Sequence, residues 1–387
     1  MSISLKQIVK RVVPPFIVKK VKTLQDKQPR IVYNLGLTSC PQPRVFISYV
    51  NGFLFVDDPF KCHGTRDVEC AAFVSSLIQL GCRVDVARYD CTKGFKKDYD
   101  YVIGQGDAFR LASSLNPNAK RILYLTENPP ALSLMKEKER IAYFEERHHQ
   151  KIELNRSGKF FNDEDFERLD ACIFIGNPSD SDKIKGIRTF TIRPTGIINK
   201  FFDPSRRDYI QAKNRFMWIG SSGVVHKGLD ILLDVFAKHP ELELYVLGMN
   251  EEERRMMSGL MSSNVKNIGY ISILSEQFAR LAEECGFVIL PSCSEGLATS
   301  VITGMNHGLI PLVTKETSIE VPVGEVFTDF HVENVEEVVV RWSKKDFTWL
   351  KEESEKTRAL AVETYNIEKY SERIKELLTT IIINNDI

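Results

Sequence analysis

Two stretches of the chain place small residues and a charged side chain at the end of an apolar run. The first is Gly220-Ser221-Ser222-Gly223-Val224-Val225-His226-Lys227-Gly228, between FMWIG and a helical pattern over 228–238. Small residues let the backbone approach a ligand, and a helix start with a lysine beside it suits phosphate. The same residues also read as a plain strand–helix turn with a surface lysine. Lys227 is followed by Gly228, so this is not a Walker A loop, and G-x-G-x-x-G is not spelled either. The second stretch, Pro291-Ser292-Cys293-Ser294-Glu295-Gly296-Leu297-Ala298-Thr299-Ser300, ends FVILPS and opens a helix expected over 296–307. Amides of Gly296, Leu297 and Ala298 would there face an anion. Glu295 reads either as a helix-dipole partner or as a ligand for sugar hydroxyls. Two anion-ready helix starts at strand ends of one sheet suggest a diphosphate.

The first half offers weaker chemistry. His63-Gly64-Thr65 precedes a helix, and His63 reads as an acceptor-touching or reacting-centre group, or as an exposed loop histidine. Glu127 ends a strand, where site residues gather, and equally reads as a turn acid before Pro129-Pro130. Arg140 sits among Lys136, Glu137, Lys138 and Glu139, so it reads as part of a solvated face or as an acceptor ligand. His148-His149 has no second ligand pair at metal spacing.

The elements that would position these groups alternate along the chain. Strand runs are expected at 45–50, 84–87, 101–104, 121–126, 171–176 and 188–193, with helices between them, including 66–80 and a long charged one over 131–150. After a polar stretch from Pro194 to Ser205, the alternation restarts. Its strands are 216–220, 242–248, 265–271, 287–292 and 310–314, and helices fill most of 333–383. Short apolar strands separated by helices imply βαβ units and parallel sheets. The expected fold is α/β, two doubly wound halves with a cleft between them and ligands at the carboxyl ends of the strands.

Composition bounds the function. The chain has 387 residues, 43% hydrophobic and 27% charged, which is globular and long enough for two domains. Lys+Arg and Asp+Glu are both 52, which excludes a global basic field for nucleic acid. The first 30 residues carry eight basic groups against one acid, Asp26, interleaved with apolar residues and broken by Pro14-Pro15. This arm suits an anionic membrane surface, and equally reads as a solvated or packed tail. With Phe16 as its single aromatic, it offers no series of stacking residues for RNA. No apolar run reaches the roughly 20 residues that span a bilayer, and the N-terminus does not spell a signal peptide. The eight cysteines form no CxxC pair, so a reducing cytosol and no structural zinc are expected.

The segments WIGSSGVVHKGLDILLDVF, LELYVLG, VKNIGYI and ILPSCSEGLATSVITGMNHGLIPLV resemble, in order and spacing over roughly 214–315, a retaining nucleotide-sugar glycosyltransferase of the GT-B fold, family 4 (glycosyl transferases group 1). YNIEKYSERIKELL resembles the C-terminal helix that returns to the first domain, and TENPP, Arg140 and ACIFIGN resemble a subset from bacterial surface-polysaccharide loci. The resemblance implies an arm over 1–30, an acceptor domain over 31–200, a donor domain over 201–365 and a returning helix over 366–387. It implies donor contacts from Gly220, Ser221, Ser222, Lys227, Gly269, Tyr270, Glu295, Gly296, Leu297, Ala298, Thr299 and Thr303. Acceptor contacts would come from His63, Gly64, Thr65 and Arg140, and catalytic roles would fall to Glu295, Lys227, His63 and Glu127. The family's diphosphate arginine is replaced here by Ser221 or Ser222, and its E-x7-E pair begins at Glu295 but ends at Thr303.

The implied reaction moves a sugar with retention from a nucleoside-diphosphate sugar to a glycan or lipid-linked acceptor, in lipopolysaccharide, O-antigen or capsule synthesis. It needs no metal, and the enzyme would be cytoplasmic, held peripherally at the inner face of the membrane. Asp180-Ser181-Asp182 spells the metal motif of a GT-A enzyme, but two α/β halves oppose that reading, and these are read as solvated loop acids. A catalytically impaired binding or scaffold protein and a GT-B-fold epimerase are the alternatives.

Overall fold

The computed structural model describes residues 31–36, 43–55, 64–158, 160–177, 184–320 and 322–387. The arm over 1–30, His63 and Asp180–Asp182 lie outside the described residues. The chain divides into two compact units: residues 1–129, 160–195 and 367–387 form one, and 130–159 with 196–366 the other.

The first unit is a seven-stranded sheet in the order β1-β3-β2-β4-β5-β6-β7. Its strands are β1 (Ile31–Leu35), β2 (Arg44–Tyr49), β3 (Arg83–Arg88), β4 (Tyr101–Gly104), β5 (Lys120–Leu125), β6 (Ala171–Ile175) and β7 (Thr189–Ile192). All pairs are parallel except β1 with β3, an antiparallel edge that the alternating pattern did not announce. Runs such as YVIG and ACIFI are buried throughout, as strands covered on both faces must be. Helix α1 (Thr65–Gln79) follows β2, and α2 (Gly106–Leu115) follows β4. Phe46, Phe109, Leu123 and Phe174 form one core between sheet and helix. The last helix of the chain, Ile367–Leu378, packs on α1 in this unit, where Tyr370 Oη meets Tyr124 Oη at 2.9 Å. A π-helical turn over Thr379–Ile383 follows it.

The second unit is a six-stranded, all-parallel sheet in the order β10-β9-β8-β11-β12-β13. The strands are β8 (Arg215–Ile219), β9 (Glu243–Leu247), β10 (Val265–Gly269), β11 (Phe287–Leu290), β12 (Ile310–Thr314) and β13 (Glu325–Phe327). Phe216 on β8 stands opposite Phe287 on β11, and their rings stack at 4.6 Å in the core. Burying each such ring stabilises the fold by about 1.5–3 kcal/mol.

The long charged helix, α3 (Pro130–His148), groups with this unit, whereas the sequence places it in the first half. Its buried residues are Ser133, Glu137, Arg140 and Phe144. Steps of four, three and four residues put them on one face, so a charged side of the helix is turned inward. Beyond a single turn at Tyr209–Ala212, the remaining α-helices among the described residues are α4 (Leu229–Lys238), α5 (Glu251–Met257), α6 (Glu276–Glu284), α7 (Thr299–Asn306), α8 (Val332–Ser343) and α9 (Phe347–Thr364), and Ile367–Leu378 is α10.

Helix α7 begins at 299 rather than at the expected 296. The amides of Glu295 and Ala298 bond to the carbonyls of Glu316 and Thr317, at 3.0 Å each, which holds this stretch extended. Among the described residues no helix is long and apolar enough to cross a membrane.

Candidate active site

The chain runs outward from β8 through β9 to β10, then returns to place β11 on the other side of β8. That reversal makes β8/β11 the switch point of the sheet, where the following loops part and leave room for a ligand. The loop after β8 carries Lys227 and the loop after β11 carries Glu295. The Lys227 ammonium donates to Glu295 Oε1, and Ser292 Oγ donates to the same oxygen at 3.0 Å. The two side chains that the sequence analysis placed in separate loops are therefore in contact.

The first loop is held from several sides. Glu253 on α5 is buried, and its Oε1 accepts the amides of Gly223 (2.6 Å) and Val224 (3.3 Å), while Asn250 donates to Oε2 at 2.8 Å. Trp218 Nε1 donates to the Lys227 carbonyl at 3.2 Å, and the Lys227 amide closes on Gly223 O at 2.8 Å. Gly248, at φ +91°, ends β9 against Gly220, whose carbonyl a Cβ on Gly248 would overlap. The ends of β8, β9 and β10 thus bear Gly220, Gly248 and Gly269, with Gly220 N on Leu247 O and Gly248 N on Gly269 O. Tyr270, the next residue, is 77% exposed. Ser221 is exposed and Ser222 half-buried at the mouth of the loop.

The second loop is tied to the first through His226. Its Nε2 donates to Ser294 O at 2.6 Å, and its carbonyl accepts the Cys293 amide at 2.8 Å. Its Nδ1 faces Glu137 Oε2 at 3.7 Å, an ion-pair distance. Burial alone would lower the His226 pKa, but Cys293 and Glu137 outweigh it and raise it to about 9. Burial would raise the Glu295 carboxyl, and the charges of Lys227, Arg156 and His226 instead hold it at about 2. Glu137 is also held at about 2, because the facing His226 imidazole and the Ser157 amide overcome its burial. At neutral pH Glu295 and Glu137 are carboxylates and His226 is an imidazolium.

Three expected donor or acceptor contacts are corrected. Ala298 cannot offer its amide to an anion, since Thr317 O already takes it. Thr303 is buried and its hydroxyl donates to Thr299 O at 2.9 Å, inside its own helix, so it faces no ligand. Arg140 is 0% exposed. Its Nη1 donates to Pro291 O at 2.8 Å, and its guanidinium lies 4.4 Å over the Phe330 ring. It props the second loop from beneath and does not reach an acceptor. Among the described residues, the amides of Gly296, Leu297, Thr299 and Ser300 have no carbonyl acceptor, so the second loop still presents donors.

In the first unit, β2 and β4 flank that sheet's own switch point. Gly64 is the extended residue before α1, and Thr65 opens the helix. Glu127 follows β5 and is half-buried. Sequence reasoning missed Glu253 and Glu137. Glu253 follows Asn250 by three residues, the spacing of a capping box, and this was the available signal. Glu137 was legible only through the helical stripe it shares with Arg140.

Residues 213–341 match the family "Glycosyl transferases group 1". No curated protein matches the chain as a whole. Among solved structures, HepE of Anabaena in complex with UDP and glucose aligns at 14% identity over 88% of this chain and 100% of its own, with a TM-score of 0.57. The sucrose-phosphate synthase of Thermosynechococcus elongatus aligns at 14% identity over 89% and 100%, TM-score 0.62. WaaG, a glycosyltransferase involved in lipopolysaccharide biosynthesis, aligns at 15% identity over 87% and 99%, TM-score 0.53. The chain has the GT-B fold of these neighbours, and its residues 213–341 are similar to the glycosyl transferases group 1 family.

Proposed function

We propose that the protein transfers a sugar, with retention at the anomeric carbon, from a nucleoside-diphosphate sugar to a glycan or lipid-linked acceptor. The observation that carries this reading is the Lys227–Glu295 contact at the switch point of the second sheet. Departure of a nucleoside diphosphate builds negative charge on phosphate oxygens and positive charge on the sugar ring. Lys227 and the amides of Gly296, Leu297, Thr299 and Ser300 meet the first. The Glu295 carboxylate, ionised well below neutral pH, accepts from sugar hydroxyls and faces the second. It is not a proton donor at pH 7. These side chains and amides neutralise the leaving group without a metal ion. HepE, solved with UDP and glucose, supports the donor class.

His63, Gly64, Thr65 and Glu127 are proposed to serve the acceptor and the reacting centre. The basic and apolar interleaving of residues 1–30 supports a peripheral position at the inner face of the cytoplasmic membrane, beside a lipid-linked acceptor of surface-polysaccharide assembly. The lipopolysaccharide role of WaaG supports the same setting. Six described cysteines are buried thiols, which supports a reducing compartment.

Release of nucleoside diphosphate from UDP-, GDP-, ADP- and dTDP-sugars, wild type against Lys227→Ala, tests this reading. Slow release from one donor, lost in the variant, is expected. No release from any donor, and no thermal shift with any nucleotide, would overturn it in favour of a binding or scaffold role.

A further inference from the structure

The Gly220–Gly228 loop holds one lysine, and its ammonium is already paired with the Glu295 carboxylate. On the donor reading above, which this inference rests on, the ligand carries more than one negative charge on its diphosphate. The pair contributes no net charge toward it. A further cation stands on another piece of chain in the same unit.

After α3 the chain folds back, and Glu137 fixes the returning segment. Its carboxylate, 1% exposed, accepts three consecutive amides: Asn155 at 3.2 Å and Arg156 at 3.1 Å on Oε1, and Ser157 at 2.6 Å on Oε2. The same carboxylate faces His226, the neighbour of Lys227. One buried anion therefore fastens both the 155–157 strap and the glycine-rich loop. The Arg156 side chain runs along that loop: a Cβ placed on Gly223 would lie 3.2 Å from Arg156 Cβ and 3.5 Å from Cδ. Gly223, at φ +83°, leaves the room that the arginine stem occupies. Arg156 also stands near enough to Glu295 to be, after Lys227, the strongest positive influence on that carboxylate.

We propose that Arg156 is a diphosphate-binding residue of the donor site, adding a cation where the loop's own Lys227 and His226 already face the Glu295 and Glu137 carboxylates, and that Glu137 is its positioning residue. Ser221 and Ser222 then give the loop small hydroxyls where a guanidinium arrives from outside it. Glu137 contributes through the placement of the Arg156 backbone, not by touching the ligand.

The test is calorimetric titration of the full chain with UDP, GDP, ADP and dTDP, and with the nucleoside of whichever binds. Arg156→Gln is expected to weaken the diphosphate about ten- to hundredfold, the range of a charge-assisted hydrogen bond, and to leave the nucleoside within twofold. Arg156→Lys should recover part of the loss, and Ser221→Arg should restore binding in the Arg156→Gln background. Glu137→Ala should weaken the diphosphate in wild type but add little to Arg156→Gln, while Glu137→Gln, whose one oxygen still accepts the Asn155 and Arg156 amides, should lose less than Glu137→Ala. Unchanged diphosphate affinity in Arg156→Gln, or equal losses for diphosphate and nucleoside, would overturn the role of Arg156. Additive losses from Glu137→Ala and Arg156→Gln would overturn the positioning role alone. If wild type binds none of the four diphosphates, the donor reading falls first and this inference with it.

Discussion

Lys227 and Glu295 are 68 residues apart in the chain and share a hydrogen bond, because their loops leave adjacent strands on either side of a reversal in strand order. Each therefore has a partner before any ligand arrives. A diphosphate must compete with Glu295 for the ammonium.

That competition separates the two residues experimentally. Lys227→Ala should lose both nucleoside-diphosphate binding and transfer. Glu295→Gln removes the competing charge, so it should bind the diphosphate at least as tightly as wild type while losing transfer by two orders of magnitude or more, about 3 kcal/mol or above. Equal losses of binding in both variants, measured by calorimetry, would mean that Glu295 does not act as assigned.

Glu253 touches no ligand in this scheme, yet two loop amides depend on it. Glu253→Ala strands both amides in a buried setting and should cost about 2–3 kcal/mol of stability while raising the donor KM. Glu253→Gln keeps an acceptor oxygen and should recover most of both. Thermal melts with donor kinetics check this. A Glu253→Gln variant as impaired as Glu253→Ala would show that charge, not hydrogen bonding, is what the loop needs.

The sheets were legible in the sequence because buried parallel strands are short apolar runs with little else to be. Tyr101–Gly104 and Ile310–Thr314 were bounded to the residue. Lys227 and Glu295 were legible because each follows such a run and precedes a helix. Their contact was not, since it depends on strand order, which spacing does not encode. Arg140 and Glu137 were misread for a physical reason. A charged helix face is normally solvated, and only a neighbour that supplies carbonyls, amides and an aromatic ring makes its burial tolerable. Thr303 was misread because a threonine inside a helix has its own backbone as the nearest acceptor.

The arm proposal predicts an electrostatic, salt-sensitive attachment. With about 1 kcal/mol per basic residue near anionic headgroups, the eight basic groups of residues 1–30 should bind vesicles containing phosphatidylglycerol and not pure phosphatidylcholine. A chain lacking residues 1–30 should stay in the supernatant on vesicle sedimentation and still hydrolyse the donor. Equal sedimentation of both chains would sink the membrane assignment while leaving the donor site untouched.

The last prediction concerns stability and comes from the first unit. Glu69 on α1 is buried and accepts the Thr195 amide at 2.9 Å. Burial raises its pKa to about 8, against the opposing effects of the Thr195 amide and Arg66. Its charge also bears on Tyr49 from β2, Tyr124 from β5 and Tyr370 from α10. In the folded chain the carboxyl keeps its proton up to about pH 8, whereas in the unfolded chain it ionises near 4.5. The folded state therefore binds the extra proton, and stability falls as pH rises from 4.5 to 8, by roughly 3 kcal/mol at pH 7. Glu69→Gln mimics the protonated form and keeps a carbonyl oxygen for Thr195. It should melt with wild type near pH 4.5 and several degrees above it at pH 8. A difference that is the same at both pH values would mean that Glu69 is ionised in the folded protein, with a counter-charge that burial has not excluded.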